Sequence, residues 1–182
     1  SNNTAIGIGA LFTNTTGVSN TAVGYLALNA HTTAEGNHAF GTWSLYGNTT
    51  GEHNTAVGRS TLYNNTTGSN NVAIGRNSLS GNTTASGLTA VGYFALAANT
   101  TGPINTAVGY YALKTNTTGQ ENTAIGYQAQ ELNTTGRNNA SLGYWSLREN
   151  TTGDYNTAMA GNYALGNNTT GSYNTAFGYF AL

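Results

Sequence analysis

The chain repeats every seventeen residues. Asn20-Thr21-Ala22-Val23-Gly24-Tyr25-Leu26-Ala27-Leu28 returns as Asn105-Thr106-Ala107-Val108-Gly109-Tyr110-Tyr111-Ala112-Leu113, five periods later. Between such blocks lies Asn-Thr-Thr-Gly, as at Asn14, Asn48, Asn65, Asn99, Asn116, Asn133 and Asn150. About ten and a half copies make residues 1–182 a single repeat domain. A period this short and constant argues against the irregular core of an ordinary globular enzyme. It predicts a solenoid or fibre in which each unit stacks on its neighbours.

Positions are numbered from the Asn before Thr-Ala. The third is Ala in every copy except Ser141. The fourth is always large and apolar: Ile6, Val23, Phe40, Val57, Ile74, Val91, Val108, Ile125, Leu142, Met159 and Phe177. The fifth is Gly once an inserted Ala160 is allowed for, and the eighth is small. The ninth is Leu except at Gln130, where Leu132 stands two places on as a replacement. Thr-Ala-Val-Gly-Tyr reads as a short strand running into a turn. Third and fourth residues of a strand point to opposite faces, yet both are non-polar here. Both faces are therefore expected to be covered, with positions three, four, eight and nine as the core. So little apolar material per coil predicts burial against further copies of the chain. Asn-Thr-Thr-Gly reads as the polar turn, its Gly suited to positive φ. The insertion at Ala160 predicts a β-bulge that leaves the stack intact.

Composition narrows function mainly by exclusion. Only 6% of residues are charged and the net charge is −1. Five scattered basic residues, Arg59, Arg76, Lys114, Arg137 and Arg148, cannot build the field that nucleic acid or an anionic membrane demands. There is no cysteine, so disulfides are excluded. No apolar run is long enough to span a bilayer. Ser1 and Leu182 both fall inside the repeat phase, so the chain reads as a fragment of a longer fibre.

No Ser-His-Asp set, phosphate loop or Cys/His cluster is present. The three histidines, His31, His38 and His53, read as turn or surface residues, and no metal or cofactor site is expected. Glu35 and Glu52 lie one repeat apart and should stack, at a variable turn position without walls. The chain is read as non-enzymatic. Aromatic residues at the sixth and seventh positions are the candidate surface contacts: Tyr25, Trp43, Tyr93, Tyr110, Tyr127 and Trp145. One of these columns, if exposed, could stack on sugar rings or protein surfaces. Asn-Thr-Thr also satisfies the N-glycosylation pattern at Asn14, Asn48, Asn65, Asn99, Asn116, Asn133, Asn150 and Asn168. The abundant Thr raises ice binding, against which stands the adjacency of Thr15 and Thr16: on a strand they would point apart.

The block Asn-Thr-Ala-Val/Ile-Gly-Tyr-x-Ala-Leu resembles repeats in the heads of trimeric autotransporter adhesins (the YadA-like class). It is still more similar to the longer repeats of bacterial and phage tail-fibre proteins. The resemblance covers Asn3 to Leu182. It implies a homotrimer of left-handed parallel β-rolls, one coil per repeat, in an extracellular, cell-surface or virion location. The expected role is that of a structural shaft or head segment of an extracellular fibre that presents a binding surface. Expected partners are the chain itself, trimers joined end to end, and a cell-surface glycan or protein. An ice-binding or carbohydrate-binding solenoid is the functional alternative. The longer period and the Asn-Thr-Thr-Gly insert depart from the adhesin heads, and a triple β-spiral is the structural alternative. Stacked coils would give a rod of about 50 Å and a spiral a much longer one.

Overall fold

The computed structural model describes residues 2–182 and is all-β. Eleven three-residue strands form one parallel sheet in chain order. They are β1 (Thr4–Ile6), β2 (Thr21–Val23), β3 (His38–Phe40), β4 (Thr55–Val57), β5 (Val72–Ile74), β6 (Thr89–Val91), β7 (Thr106–Val108), β8 (Thr123–Ile125), β9 (Ala140–Leu142), β10 (Thr157–Met159) and β11 (Thr175–Phe177). Each strand pairs with the same position of the next repeat, Thr106 with Thr123 and Val108 with Ile125, for example. The chain is thus a β-solenoid with one coil per repeat.

Only three residues per coil are strand, yet hydrogen bonds tie each coil to its neighbours around its whole circuit. In the seventh coil, Thr106 N donates to Asn122 O (2.8 Å), Leu113 N to Ala129 O (3.0 Å) and Thr117 N to Thr134 O (2.9 Å). Gly109 N donates backwards to Val91 O (2.8 Å) and Tyr111 N to Tyr93 O (3.0 Å). The corners between these contacts need left-handed backbone. The ninth-position leucines Leu28, Leu45, Leu62 and Leu113 all have φ of 49°. That conformation costs an L-residue about 1–2 kcal/mol. Their complete burial offsets it by about 1.5–3 kcal/mol each.

The interior holds Ala of position three, the small residue of position eight and Leu of position nine, all fully buried through the middle of the stack. Position four is not part of it. Its side chains point outward, and Phe40, Ile74 and Leu142 are 41%, 40% and 47% exposed. The strand therefore has one covered face in the single chain, not two.

Two asparagine ladders complete the interior. At position twelve, Asn116 Nδ2 donates both to Asn99 Oδ1 (2.8 Å) and to Gly119 O (2.9 Å). Asn133 Nδ2 then donates to Asn116 Oδ1 (2.8 Å). At position one, Asn122 N donates to Asn105 Oδ1 (2.9 Å) and Asn122 Nδ2 to Gly136 O (2.8 Å). Each amide has two N–H donors and a carbonyl acceptor, so one residue type serves both neighbouring coils and its own turn.

This placement overturns the glycosylation expectation. Asn48, Asn65, Asn99, Asn116, Asn133 and Asn150 are fully buried, and a glycan on Nδ2 has nowhere to go. Asn14 and Asn168 are half-buried, with Nδ2 donated to Gly17 O (3.2 Å) and Gly171 O (2.9 Å).

His31 takes the ladder position in one coil and is fully buried, not a surface turn residue. Its Nε2 lies 2.9 Å from Ala34 O, and Asn48 Nδ2 lies 3.4 Å from its Nδ1. The neutral ring with hydrogen on Nε2 fits both contacts: it donates to the carbonyl and accepts from the amide. That ring has one N–H where Asn has two, and Asn14 Oδ1 is left buried without a partner. Burial holds the His31 pKa below its usual value, with the Ala34 carbonyl acting weakly the other way. Unfolded, the ring takes a proton at a higher pH than it does folded. Stability from this site is complete above about pH 6.5 and falls as the pH drops towards the lower folded pKa. His31→Asn should remove that component of acid sensitivity and add about 1–3 kcal/mol by pairing Asn14 Oδ1. Urea midpoints at pH 7.5 and 5.5 check both effects.

The two exceptions to the apolar pattern meet in the core. Gln130 Nε2 donates to Ser141 Oγ (3.0 Å) and Thr123 O (2.9 Å), while Gln130 Oε1 has no partner. Ser141, not Leu132, answers the missing leucine. The apolar core is divided there, into one cluster ending at Ala129 and another beginning at Leu147. Gln130→Leu with Ser141→Ala should join them and add about 2–4 kcal/mol. An unchanged urea midpoint in the double variant would refute this.

The extra residue lies just after β10. Ala160 takes the left-handed conformation at φ 58°, and the pairing offset grows to Thr157 with Thr175. The stack continues through it as expected, with Tyr163 N donating to Tyr144 O (2.9 Å).

Candidate functional site

With Asn, Ala and Leu inside, the outer surface is a set of columns running along the stack. The first is the strand face, with the fourth-position apolar side chains beside the second-position threonines. It runs the full length of the sheet.

The second is aromatic. The sequence reading placed positions six and seven on opposite strand faces. They lie instead in the turn after Gly, where the seventh residue has positive φ, as at Tyr111 (59°) and Trp145 (58°). Both side chains end up outside and pack together: ring centroids are 4.1 Å apart for Tyr110 and Tyr111, and 4.9 Å for Tyr144 and Trp145. Along the sixth position, Tyr93, Tyr110, Tyr127 and Tyr144 stack nearly parallel at 5.3, 5.3 and 5.1 Å. Tyr110 and Tyr127 thus have neighbours on both ring faces and show only edges outward. They cannot stack on a sugar ring. Tyr25 stands apart, tilted 58° to Trp43 at 6.4 Å.

The aromatic columns are interrupted over two coils. At position seven, Trp43 is followed by Ser60 and Asn77 before Phe94. At position ten, Tyr46 and Tyr63 stack at 5.1 Å and are followed by Ser80 and Ala97. The missing rings leave an open groove of about 370 Å³ lined by Trp43, Ser60, Tyr63, Asn64, Asn77, Ser80, Gly81 and Ala97. Of the candidate contacts, only Trp43 lines it. The sequence reading missed this groove. Its signal was a run of small residues in two columns at once.

Further along position ten, Glu131 is buried between cations: Arg148 Nε lies 3.1 Å from Oε2 and Lys114 Nζ 3.9 Å from Oε1. The cations also cover aromatic rings, Lys114 over Tyr111 at 4.3 Å and Arg148 over Trp145 at 4.7 Å. This row closes the surface around the aromatic column.

Glu35 and Glu52 do stack, and with His53 their ligand atoms lie within 4.8 Å of one another. His53 Nε2 is 3.9 Å from Glu35 Oε1. All three stand in open solvent, without walls to hold a substrate.

The turn threonines form the last columns. Position thirteen is tied down, as Thr117 Oγ1 donates to Thr134 O (3.0 Å). Position fourteen is Thr in every turn block and exposed, from Thr16 to Thr170. The segment is a bend, not a strand, so the adjacent threonines differ in depth and do not oppose each other.

No helix among the described residues is long and apolar enough to cross a membrane. Comparison with protein families, with curated proteins and with solved structures found no match.

Proposed function

We propose that the chain is a shaft or head segment of an extracellular fibre, formed by three copies of a left-handed β-roll packed side by side. The observation that carries this reading is the apolar strand face. Eleven large apolar side chains recur there at one per coil, and Ile125, Val57 and Leu142 are 38%, 37% and 47% exposed. Continuous apolar surface of this kind marks an association site. A second copy fits best, because its column repeats at the same strand spacing and can meet the first at every coil. The resemblance of the repeat to trimeric adhesin heads and tail fibres supports three copies, and supports a cell surface or virion as the location. The role is mechanical: to project or present a binding surface.

Val91→Lys with Val108→Lys places two ammonium groups in the middle of that face. The expected result is dissociation to monomers in velocity sedimentation. An association state unaffected by the two lysines would count against this interface.

The exposed fourteenth-position Thr column favours ice binding as the second reading. Thermal hysteresis in the purified protein would support it, and freezing without hysteresis would end it.

A further inference from the structure

We infer that the groove between Trp43 and Tyr63 is a binding site for a neutral saccharide. Tyr63 carries a ring stacked by Tyr46 on one side (5.1 Å) and followed on the other by Ser80 and Ala97, with the cavity between. It therefore keeps a free aromatic face, unlike Tyr110 and Tyr127. The apolar C–H face of a pyranose matches such a ring.

Around it stand side chains with unspent hydrogen-bonding capacity. Asn64 and Asn77 line the groove, as do the hydroxyls of Ser60 and Ser80. The Ser80 hydroxyl has only a long contact, 3.4 Å, to Ala97 O. Unlike the ladder asparagines, Asn64 and Asn77 make no side-chain hydrogen bond to another described residue. An amide both donates and accepts, which suits sugar hydroxyls. The gap spans two coils, about 10 Å, enough for one substituted pyranose. Its volume falls within the usual range for small-ligand sites.

The groove is also neutral. Arg59 lies over the Trp43 ring at 5.1 Å and Arg76 over the Tyr93 ring at 5.9 Å, so both nearby guanidinium groups are engaged on aromatic faces. No charged side chain lines the cavity, which disfavours a phosphate or carboxylate ligand. The inference does not depend on the fibre reading, because the groove belongs to positions seven, ten and eleven of one chain and not to the strand face.

Trp145→Phe leaves Trp43 as the one tryptophan of the two in the chain, giving a local fluorescence signal. The probes are methyl glycosides of glucose, galactose and mannose, and N-acetylglucosamine, titrated with emission and saturation-transfer NMR as readouts. At least one should bind saturably, with transfer to its ring protons. Asn77→Ala should weaken it by about tenfold or more. Ser80→Tyr should abolish it by extending the Tyr46–Tyr63 stack over the free face, and this variant should fold at least as well as the parent. Tyr127→Ala, outside the groove, should leave it unchanged. Saturable binding that survives Ser80→Tyr, or no saturable binding of any probe, would overturn the inference.

Discussion

Asn116→Ala should destabilise the solenoid by about 2–6 kcal/mol, far more than its place in a polar Thr-rich turn would suggest. The side chain is fully buried. Its removal strips the donor from Asn99 Oδ1 and leaves Asn133 Nδ2 with Gly136 O alone, while Gly119 O keeps its bond from Asn105 Nδ2 (2.8 Å). Each buried group left unpaired costs about 1–3 kcal/mol, and two are left here, the Asn99 carbonyl and one Asn133 N–H. Asn116→Asp should be at least as damaging at neutral pH, since a carboxylate cannot donate to either acceptor and would bury a charge. By contrast Thr118→Ala, one column outside the bonded threonine, should shift stability by less than about 0.5 kcal/mol. Urea unfolding of the three variants under one condition checks the order. Equal midpoints for Asn116→Ala and Thr118→Ala would mean that the ladder does not hold the coils.

Gly109→Ala should be among the most disruptive single methyls in the chain. A Cβ at this position would sit 2.3 Å from Gly126 O, and Gly109 has φ of +136°. The clash is with backbone, so no side chain can yield. The coils would have to separate locally, breaking the Gly126 N to Val108 O bond of 2.8 Å. A loss of more than about 3 kcal/mol is expected from strain and overpacking together. Gly178→Ala separates the two contributions. It has a similar φ of +123° but nothing within 4 Å of its Cβ, so only the conformational part should appear. A Gly109→Ala chain with the parent's midpoint and far-ultraviolet spectrum would be inconsistent with coils stacked this closely.

Much of this was legible in the repeat. Thr-Ala-Val/Ile marks a strand, and the constant period fixes its partner, so the register of Thr106 on Thr123 follows directly. Three readings failed for physical reasons. Val108 and its equivalents were read as core because a large apolar residue repeats there. Yet a strand in a single-sheet coil has only one inner face, and Ala107 occupies it. Asn116 and its equivalents were read as turn residues and sequons, because Asn is usually both. The contrary signal was their constancy, shared with the buried Leu113 column and not with the drifting Gln120 column. Strand alternation was also carried past Gly109, although Tyr111 lies beyond a left-handed corner that turns its side chain outward. The groove at Tyr63 was least legible of all. It is made by small side chains at Ser60, Asn77 and Ser80, and positions seven and ten become neighbours only once the shape of the coil is known.

The central claim is that copies of this chain associate through the strand face. Sedimentation equilibrium on the unmodified protein tests it most directly, over a concentration range from micromolar upwards. The account predicts a mass three times that of the 18.8 kDa chain, or a whole multiple of that trimer if units join end to end. A single species at the mass of one chain would contradict it.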